Sequence, residues 1–137
     1  PRQLPAACEL VRKFPDQRFV LDHIAKPPIR ERRLEPWAAD IRELAAFPNV
    51  FCKVSGMVTE ADWSGWKPSD LVPYLDVVLE SFGASRLMFG SDWPVCTVAG
   101  SYVRVMSLVI EYISRLSSSE QDMILGGNAV RSYAIRL

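Results

Sequence analysis

A chain of 137 residues, 49% hydrophobic and 23% charged, is long enough for one ordinary globular domain and too apolar for a disordered segment. Its 16 basic residues balance 16 acidic ones, which argues against nucleic acid or an anionic membrane as a partner. Three widely spaced cysteines predict neither a disulfide framework nor a zinc finger, and they favour a reducing, cytoplasmic location. The chain starts with Pro rather than Met, so we expect it to be part of something longer.

Apolar spacing and helix breakers predict strands and helices in alternation. The first half reads as a helix over 4–14, a strand over 18–23, a proline-containing loop, a helix over 35–47 and a strand over 50–56. The second half reads as a helix over 70–82 capped by Ser69, a strand over 86–92, and helices over 102–116, 118–125 and 129–135, the last capped by Asn128. Because each strand is followed by a helix, the pattern predicts an α/β fold with a parallel sheet.

Each of the three predicted strands ends in polar residues. The first ends in Asp22 and His23, the second passes through Lys53 to Ser55, and the third ends in Asp92. In parallel βα proteins, functional side chains collect where the carboxyl ends of the strands meet. The sequence therefore predicts a site at that edge, with His23 and Asp92 as its catalytic residues.

Each candidate also has a structural alternative. A lone histidine is more often structural than catalytic, and an acid after a strand often caps the next loop, as Asp92 could. Lys53 and Ser55 share one strand face, so Lys53 either extends to solvent or binds an anionic or hydroxyl-rich substrate. Asp22 is predicted to point away from His23 and to act as an orienting or salt-bridging acid.

The loops after the strands contain tryptophans that suit the mouth of a pocket. Trp63 and Trp93 are predicted to contact substrate together with Lys53 and Ser55, and Trp66 is predicted to lie in a loop too polar for the core. The sequence lacks the HxH, HExxH, GxGxxG, P-loop and GxSxG patterns. A self-contained zinc site, a nucleotide site and a serine nucleophile elbow are therefore not predicted.

Four segments together carry a family resemblance: FVLDHIAKP, NVFCKVSGM, RLMFGSDWPV and ILGGNAVRSYAI. In this order they resemble the amidohydrolase-related TIM-barrel proteins, in the sugar-lactonase-like branch that includes fuconolactonase and rhamnonolactonase types. The resemblance implies parallel (β/α) units that form the C-terminal half of a (β/α)8 TIM barrel. A whole barrel needs about 250 residues. Residues 1–137 are therefore predicted to be a partial barrel domain, approximately strands 5–8, truncated at its N-terminus.

The resemblance also implies a chemistry. It predicts a hydrolase that opens a sugar lactone or related cyclic ester, in which Asp92 activates water and His23 hydrogen-bonds the carbonyl oxygen or ligates a metal. One divalent ion, Zn or Mn, is expected at His23 and Asp92, although the missing HxH pair leaves a metal-independent reaction open. The expected partner is a small-molecule lactone or carboxylate, and exposed strand edges predict self-association and an inactive isolated chain. A non-oxidative decarboxylase of the same superfamily and a non-catalytic barrel fragment remain alternatives.

Overall fold

In the computed structural model, which describes residues 1–136, parallel strands form one sheet with helices packed against it. Residue 137, the last of the predicted domain, lies outside the described residues. The strands are β1 (Phe19–Leu21), β2 (Val50–Val54) and β3 (Leu87–Phe89). The helices are α1 (Leu4–Lys13), α2 (Trp37–Ala45), α3 (Pro68–Phe82), α4 (Tyr102–Ile113), α5 (Ser118–Asp122) and α6 (Asn128–Ser132), with a π-helical segment, Met123–Gly127, joining the last two.

The sheet has the order β1-β2-β3, with both neighbouring pairs parallel. Leu21 lies opposite Cys52, and Cys52 lies opposite Leu87, so the carboxyl ends of the three strands lie at the same end of the sheet. This arrangement confirms the predicted α/β class with parallel β/α units. Within residues 1–136, β1 and β3 are edge strands, so self-association through these edges stays a prediction.

The helices form because their apolar residues recur at helical spacing and face the sheet. In α1, for example, Leu4, Cys8 and Val11 are buried and Ala7 is partly buried, while the other residues between them face solvent. One face of β2 carries the buried residues Val50, Cys52 and Val54. Among the helices in the described part of the chain, none combines the length and the hydrophobicity needed to cross a membrane.

Two predicted helix caps are wrong. Ser69 lies inside α3, whose cap is Lys67, because the Asp70 carboxylate accepts a hydrogen bond from the Lys67 backbone amide and closes the first turn two residues earlier. Asn128 is the first residue of α6 rather than its cap. Its buried side-chain amide donates instead to the carbonyl oxygens of Ala84 and Leu87, both at 2.7 Å, which ties the last helix to β3.

The first strand is shorter than predicted, and this changes the direction of two polar side chains. β1 ends at Leu21, and the chain then turns into left-handed backbone at His23. The alternation of a strand therefore does not apply to Asp22 and His23, and the prediction that Asp22 points away from His23 is wrong. The prediction that the Trp66 loop is too polar for the core is also wrong. The Trp66 ring is buried, and its Nε1 donates to the Ala99 carbonyl oxygen at 2.7 Å.

Candidate functional site

The candidate site lies where the segments after the three strands meet. His23 follows β1, Ser55 follows β2, and Asp92 lies three residues beyond the end of β3. The structure brings these three side chains into one cluster, together with Asp22 and Lys53. The polar ends of the strands thus meet, as the sequence predicts for a parallel sheet.

The backbone at His23 forms a left-handed turn, which positions its side chain in the cluster. Residues 23–26 all have positive φ angles, between 44° and 60°, and none of them is glycine. Left-handed backbone costs an L-residue about 1–2 kcal/mol, so the turn needs support from its surroundings. Ile24 is fully buried, and its carbonyl oxygen accepts a hydrogen bond of 2.8 Å from Nε1 of Trp37 in α2. The turn is therefore held by packing and by a bond from the neighbouring helix.

The His23 ring is contacted on both nitrogens. Nδ1 lies 2.8 Å from the hydroxyl oxygen of Ser55, which is buried. Nε2 lies 3.3 Å from Oδ2 of Asp22 and 3.6 Å from Oδ1 of Asp92. The hydroxyl therefore faces one nitrogen of the ring, and two carboxylates face the other.

Asp92 combines burial with an unused acceptor. Its side chain is only 9% exposed, and its backbone has a positive φ of 58°. Within residues 1–136, Oδ2 has no hydrogen-bond partner, although buried polar atoms are normally paired. Among the described residues no loop amide bonds to the carboxylate, and the Cys96 amide donates instead to the Asp92 backbone oxygen. Within the described residues Asp92 is therefore a buried carboxylate with one unsatisfied acceptor, which distinguishes it from a loop cap.

Lys53 and Asp22 form an ion pair beside the histidine, with Nζ 2.9 Å from Oδ1. Burial raises the pKa of Asp22, but the hydrogen bond from Lys53 and the nearby positive charges outweigh it, and the net pKa is lowered. The bond to Asp22 raises the pKa of Lys53, against a lowering by burial. Both groups are therefore charged at neutral pH, and Asp22 has the salt-bridging role that the sequence suggested.

Sequence reasoning missed one neighbour of Lys53. The Tyr133 hydroxyl lies close enough to help raise the pKa of Lys53. Tyr133 follows the short helix α6, and its side chain is half exposed. No local pattern in the sequence marks this contact, because the two residues lie far apart in the chain.

The structure does not join the two tryptophans to this cluster. Trp63 is 56% exposed and its Nε1 donates to the Thr59 carbonyl oxygen at 2.8 Å, while Trp93 is 66% exposed. In the part of the chain described, neither has a hydrogen bond to the cluster. Their substrate contact stays a prediction, supported for Trp93 by its position next to Asp92.

A cavity of about 340 Å³ opens beside His23, between the start of α1 and the end of β1. Asp22, His23 and Lys26 give it a polar side, and Leu4, Ala7, Leu21 and Ala25 give it an apolar side. A small molecule with both polar and apolar parts fits such a lining.

The predicted metal site is incomplete in this chain. A catalytic zinc ion takes about three protein ligands. Residues 1–136 contain no group of three His, Cys, Asp or Glu side chains that could hold one. His23 and Asp92 are two donors, and Asp22 is engaged with Lys53. These residues alone do not fit a divalent ion.

The chain is similar to proteins of known activity and known structure. Residues 1–135 match a family model described as Amidohydrolase. The chain is 48% identical to an L-fucono-1,5-lactonase of Burkholderia multivorans over 98% of its length, and 44% identical to one of Burkholderia ambifaria, also over 98%. A crystal structure of a zinc-bound amidohydrolase from Burkholderia multivorans superposes with a TM-score of 0.92 at 48% identity, covering 98% of this chain and 50% of that one. The chain spans about half the length of the curated relatives it matches, 49% and 48%.

Proposed function

Because the chain belongs to the amidohydrolase family, as its motifs predicted, we propose that the protein hydrolyses the ester bond of a sugar lactone. Two relatives with 48% and 44% identity are L-fucono-1,5-lactonases, which supports a lactone of a sugar acid as the substrate class. The observation that carries the proposal is the buried, unpartnered Oδ2 of Asp92, on a carboxylate whose other oxygen lies 3.6 Å from Nε2 of His23. This pair has the elements of a general base beside a hydrogen-bond donor.

In the proposed reaction, Asp92 takes a proton from a water molecule as the water oxygen adds to the lactone carbonyl carbon. Nε2–H of His23 donates a hydrogen bond to the carbonyl oxygen while negative charge develops there. The ring C–O bond then breaks, and protonated Asp92 returns its proton to the leaving oxygen, which becomes a hydroxyl. One lactone and one water thereby give one open-chain hydroxy acid.

Lys53, Trp63 and Trp93 are proposed to bind the substrate. Lys53 uses one of its three N–H donors on Asp22 and is 30% exposed, so it can also bind a substrate hydroxyl or carboxylate. The half-exposed rings of Trp63 and Trp93 would cover an apolar face of the sugar. A zinc or manganese ion would need at least one ligand besides His23 and Asp92, so we assign it no step.

The chain spans about half the length of its relatives, so we expect the active protein to contain more than these residues. We propose that residues 1–137 supply approximately strands 5–8 of the barrel and that a further barrel segment completes the site. The isolated chain is then expected to lack activity. A cytoplasmic location likewise remains a prediction from the cysteine pattern.

The test is a lactonase assay on the intact protein that contains this chain, against a panel of sugar 1,4- and 1,5-lactones, with acid release followed by a pH indicator. Asp92→Asn keeps the shape of the side chain but removes the base, so kcat should fall by about 10²–10⁴-fold. The exposed Asp16, which lies at the other end of β1, provides the control, and Asp16→Asn should leave kcat unchanged. Turnover of Asp92→Asn at the normal rate would refute the mechanism. Release of CO2 from a carboxylate substrate without any lactone hydrolysis would favour the decarboxylase instead.

A further inference from the structure

The contacts of Ser55 give it a role different from binding substrate. Ser55 is only 2% exposed, and its hydroxyl oxygen lies 2.8 Å from Nδ1 of His23. In the described residues this is the hydroxyl's only hydrogen-bond contact. Ser55 therefore reaches the reaction through the histidine ring.

The protonation of the ring follows from what faces its two nitrogens. Nε2 faces carboxylate oxygens of Asp22 and Asp92, at 3.3 and 3.6 Å, and ionised carboxylates only accept hydrogen bonds. A lone pair on Nε2 would face two negative groups, whereas an N–H there is attracted to both. The neutral ring therefore carries its proton on Nε2, which leaves Nδ1 as an acceptor that needs a donor. The hydroxyl of Ser55 is that donor.

The residue after Ser55 provides space for the ring in this orientation. Gly56 has a φ of 64°, and a Cβ atom built on it would lie 2.8 Å from three atoms of His23, among them Nδ1. The ring thus lies against the Gly56 backbone while the Ser55 hydroxyl bonds to its edge. Two consecutive residues after β2 together determine where the ring lies and how it is turned.

We propose that Ser55 is a positioning residue, whose hydroxyl donates to Nδ1 and so keeps the His23 proton on Nε2, directed at the reacting carbonyl. This role rests on the proposed lactone hydrolysis. Without the hydroxyl, Nδ1 loses the donor that stabilises this form, so the form with its proton on Nδ1 gains population and the ring rotates more freely. The form with its proton on Nδ1 has no N–H to donate to the substrate.

The experiment combines ring NMR with kinetics on the intact protein. Histidine is labelled with ¹⁵N, the His23 signals are assigned by their loss in His23→Gln, and spectra are recorded on the neutral form of the ring. The wild type should show a proton-bearing Nε2 and a proton-free Nδ1. Ser55→Ala should show averaged signals, and Ser55→Thr, which keeps a hydroxyl, should restore the wild-type pattern.

The kinetic readout separates positioning from substrate contact. Ser55→Ala should lower kcat by about 10–100-fold, the usual loss when a partner that orients a functional histidine is removed, with KM unchanged and with recovery in Ser55→Thr. Ser132 is also buried, and its hydroxyl has no partner in residues 1–136, so Ser132→Ala is the matched control and should change neither readout.

The outcomes distinguish this inference from the proposed function. A raised KM with normal kcat and an unchanged ring spectrum would make Ser55 a substrate contact and overturn the inference, while lactone hydrolysis would stand. A wild-type ring with its proton on Nδ1 would also overturn it. If no lactone is turned over, the proposed function fails, and the spectra of wild type and Ser55→Ala still decide whether Ser55 sets the proton position.

Discussion

Gly56 offers a direct test of how tightly the His23 ring is held. An alanine Cβ at Gly56 would lie 2.8 Å from Cβ, Cγ and Nδ1 of His23, closer than carbon atoms pack. Its positive φ of 64° is a second obstacle. Gly56→Ala therefore combines backbone strain with a clash against the ring. Gly83 separates the two effects, because its φ is 65° and a Cβ there would meet nothing within 4 Å.

The magnitudes follow from these two contributions. A non-glycine residue in this part of backbone space costs about 1–3 kcal/mol, which is the loss expected for Gly83→Ala. Overpacking adds about 1–3 kcal/mol, so Gly56→Ala should lose about 2–6 kcal/mol. Urea unfolding followed by circular dichroism measures both losses. Gly56→Ala should also lower kcat, since the ring must move, whereas Gly83→Ala should keep it under conditions where the protein is folded.

A double-mutant cycle identifies the clash. His23→Gly removes all three atoms that the new Cβ would meet, so the loss caused by Gly56→Ala should be about 1–3 kcal/mol smaller in that background. Equal losses with and without the His23 side chain would show that the ring does not lie against Gly56.

Two further predictions concern the stability of the fold. Ala25 has a φ of 60°, so Ala25→Gly should relieve strain and raise the free energy of unfolding by about 0.5–1 kcal/mol. As a control, Ala39→Gly in the exposed face of α2 should lower the free energy of unfolding by about 1 kcal/mol. Equal losses in the two variants would contradict the left-handed turn. Burial raises the pKa of Asp76, but hydrogen bonds from Tyr112 and Arg115 outweigh it and the net pKa is lowered. The stability that this carboxylate contributes is therefore present above the ordinary aspartate pKa of about 3.9 and is lost as the pH falls through the lower folded-state pKa. In urea unfolding the difference between wild type and Asp76→Asn should shrink across that range, and a difference independent of pH would refute the assignment.

The convergence of polar strand ends could be predicted from the sequence because it depends on order alone. Once three apolar runs are each followed by a helix, a parallel sheet brings their carboxyl ends together. His23, Ser55 and Asp92 come just after these ends, so they are brought together as well. The shared face of Lys53 and Ser55 depends only on the two-residue period of a strand. These features need no knowledge of long-range packing.

The direction of Asp22 could not be predicted, because it depends on contacts made far along the chain. Strand alternation places Asp22 and His23 on opposite faces, but the left-handed backbone from His23 onward turns both side chains to the same cluster. Residues such as Ile24 disfavour that backbone on their own. Its burial and the bond from Trp37 support the turn, and neither is visible in local sequence.

The energies show why the turn can persist at a functional site. Four left-handed residues at about 1–2 kcal/mol each amount to several kcal/mol of strain. Burial of Ile24 offsets about 1.5–3 kcal/mol of this, and the Trp37 hydrogen bond about 0.5–1.5 kcal/mol. These two contributions offset about half of the strain, so the turn lowers the stability of the fold by a few kcal/mol. What it does provide is the direction of the His23 ring, whose nitrogens meet the Ser55 hydroxyl on one side and the Asp22 and Asp92 carboxylates on the other. Strained backbone that is supported by buried neighbours is typical of segments that place reacting groups, and the turn is therefore best explained by the chemistry of the side chain it holds.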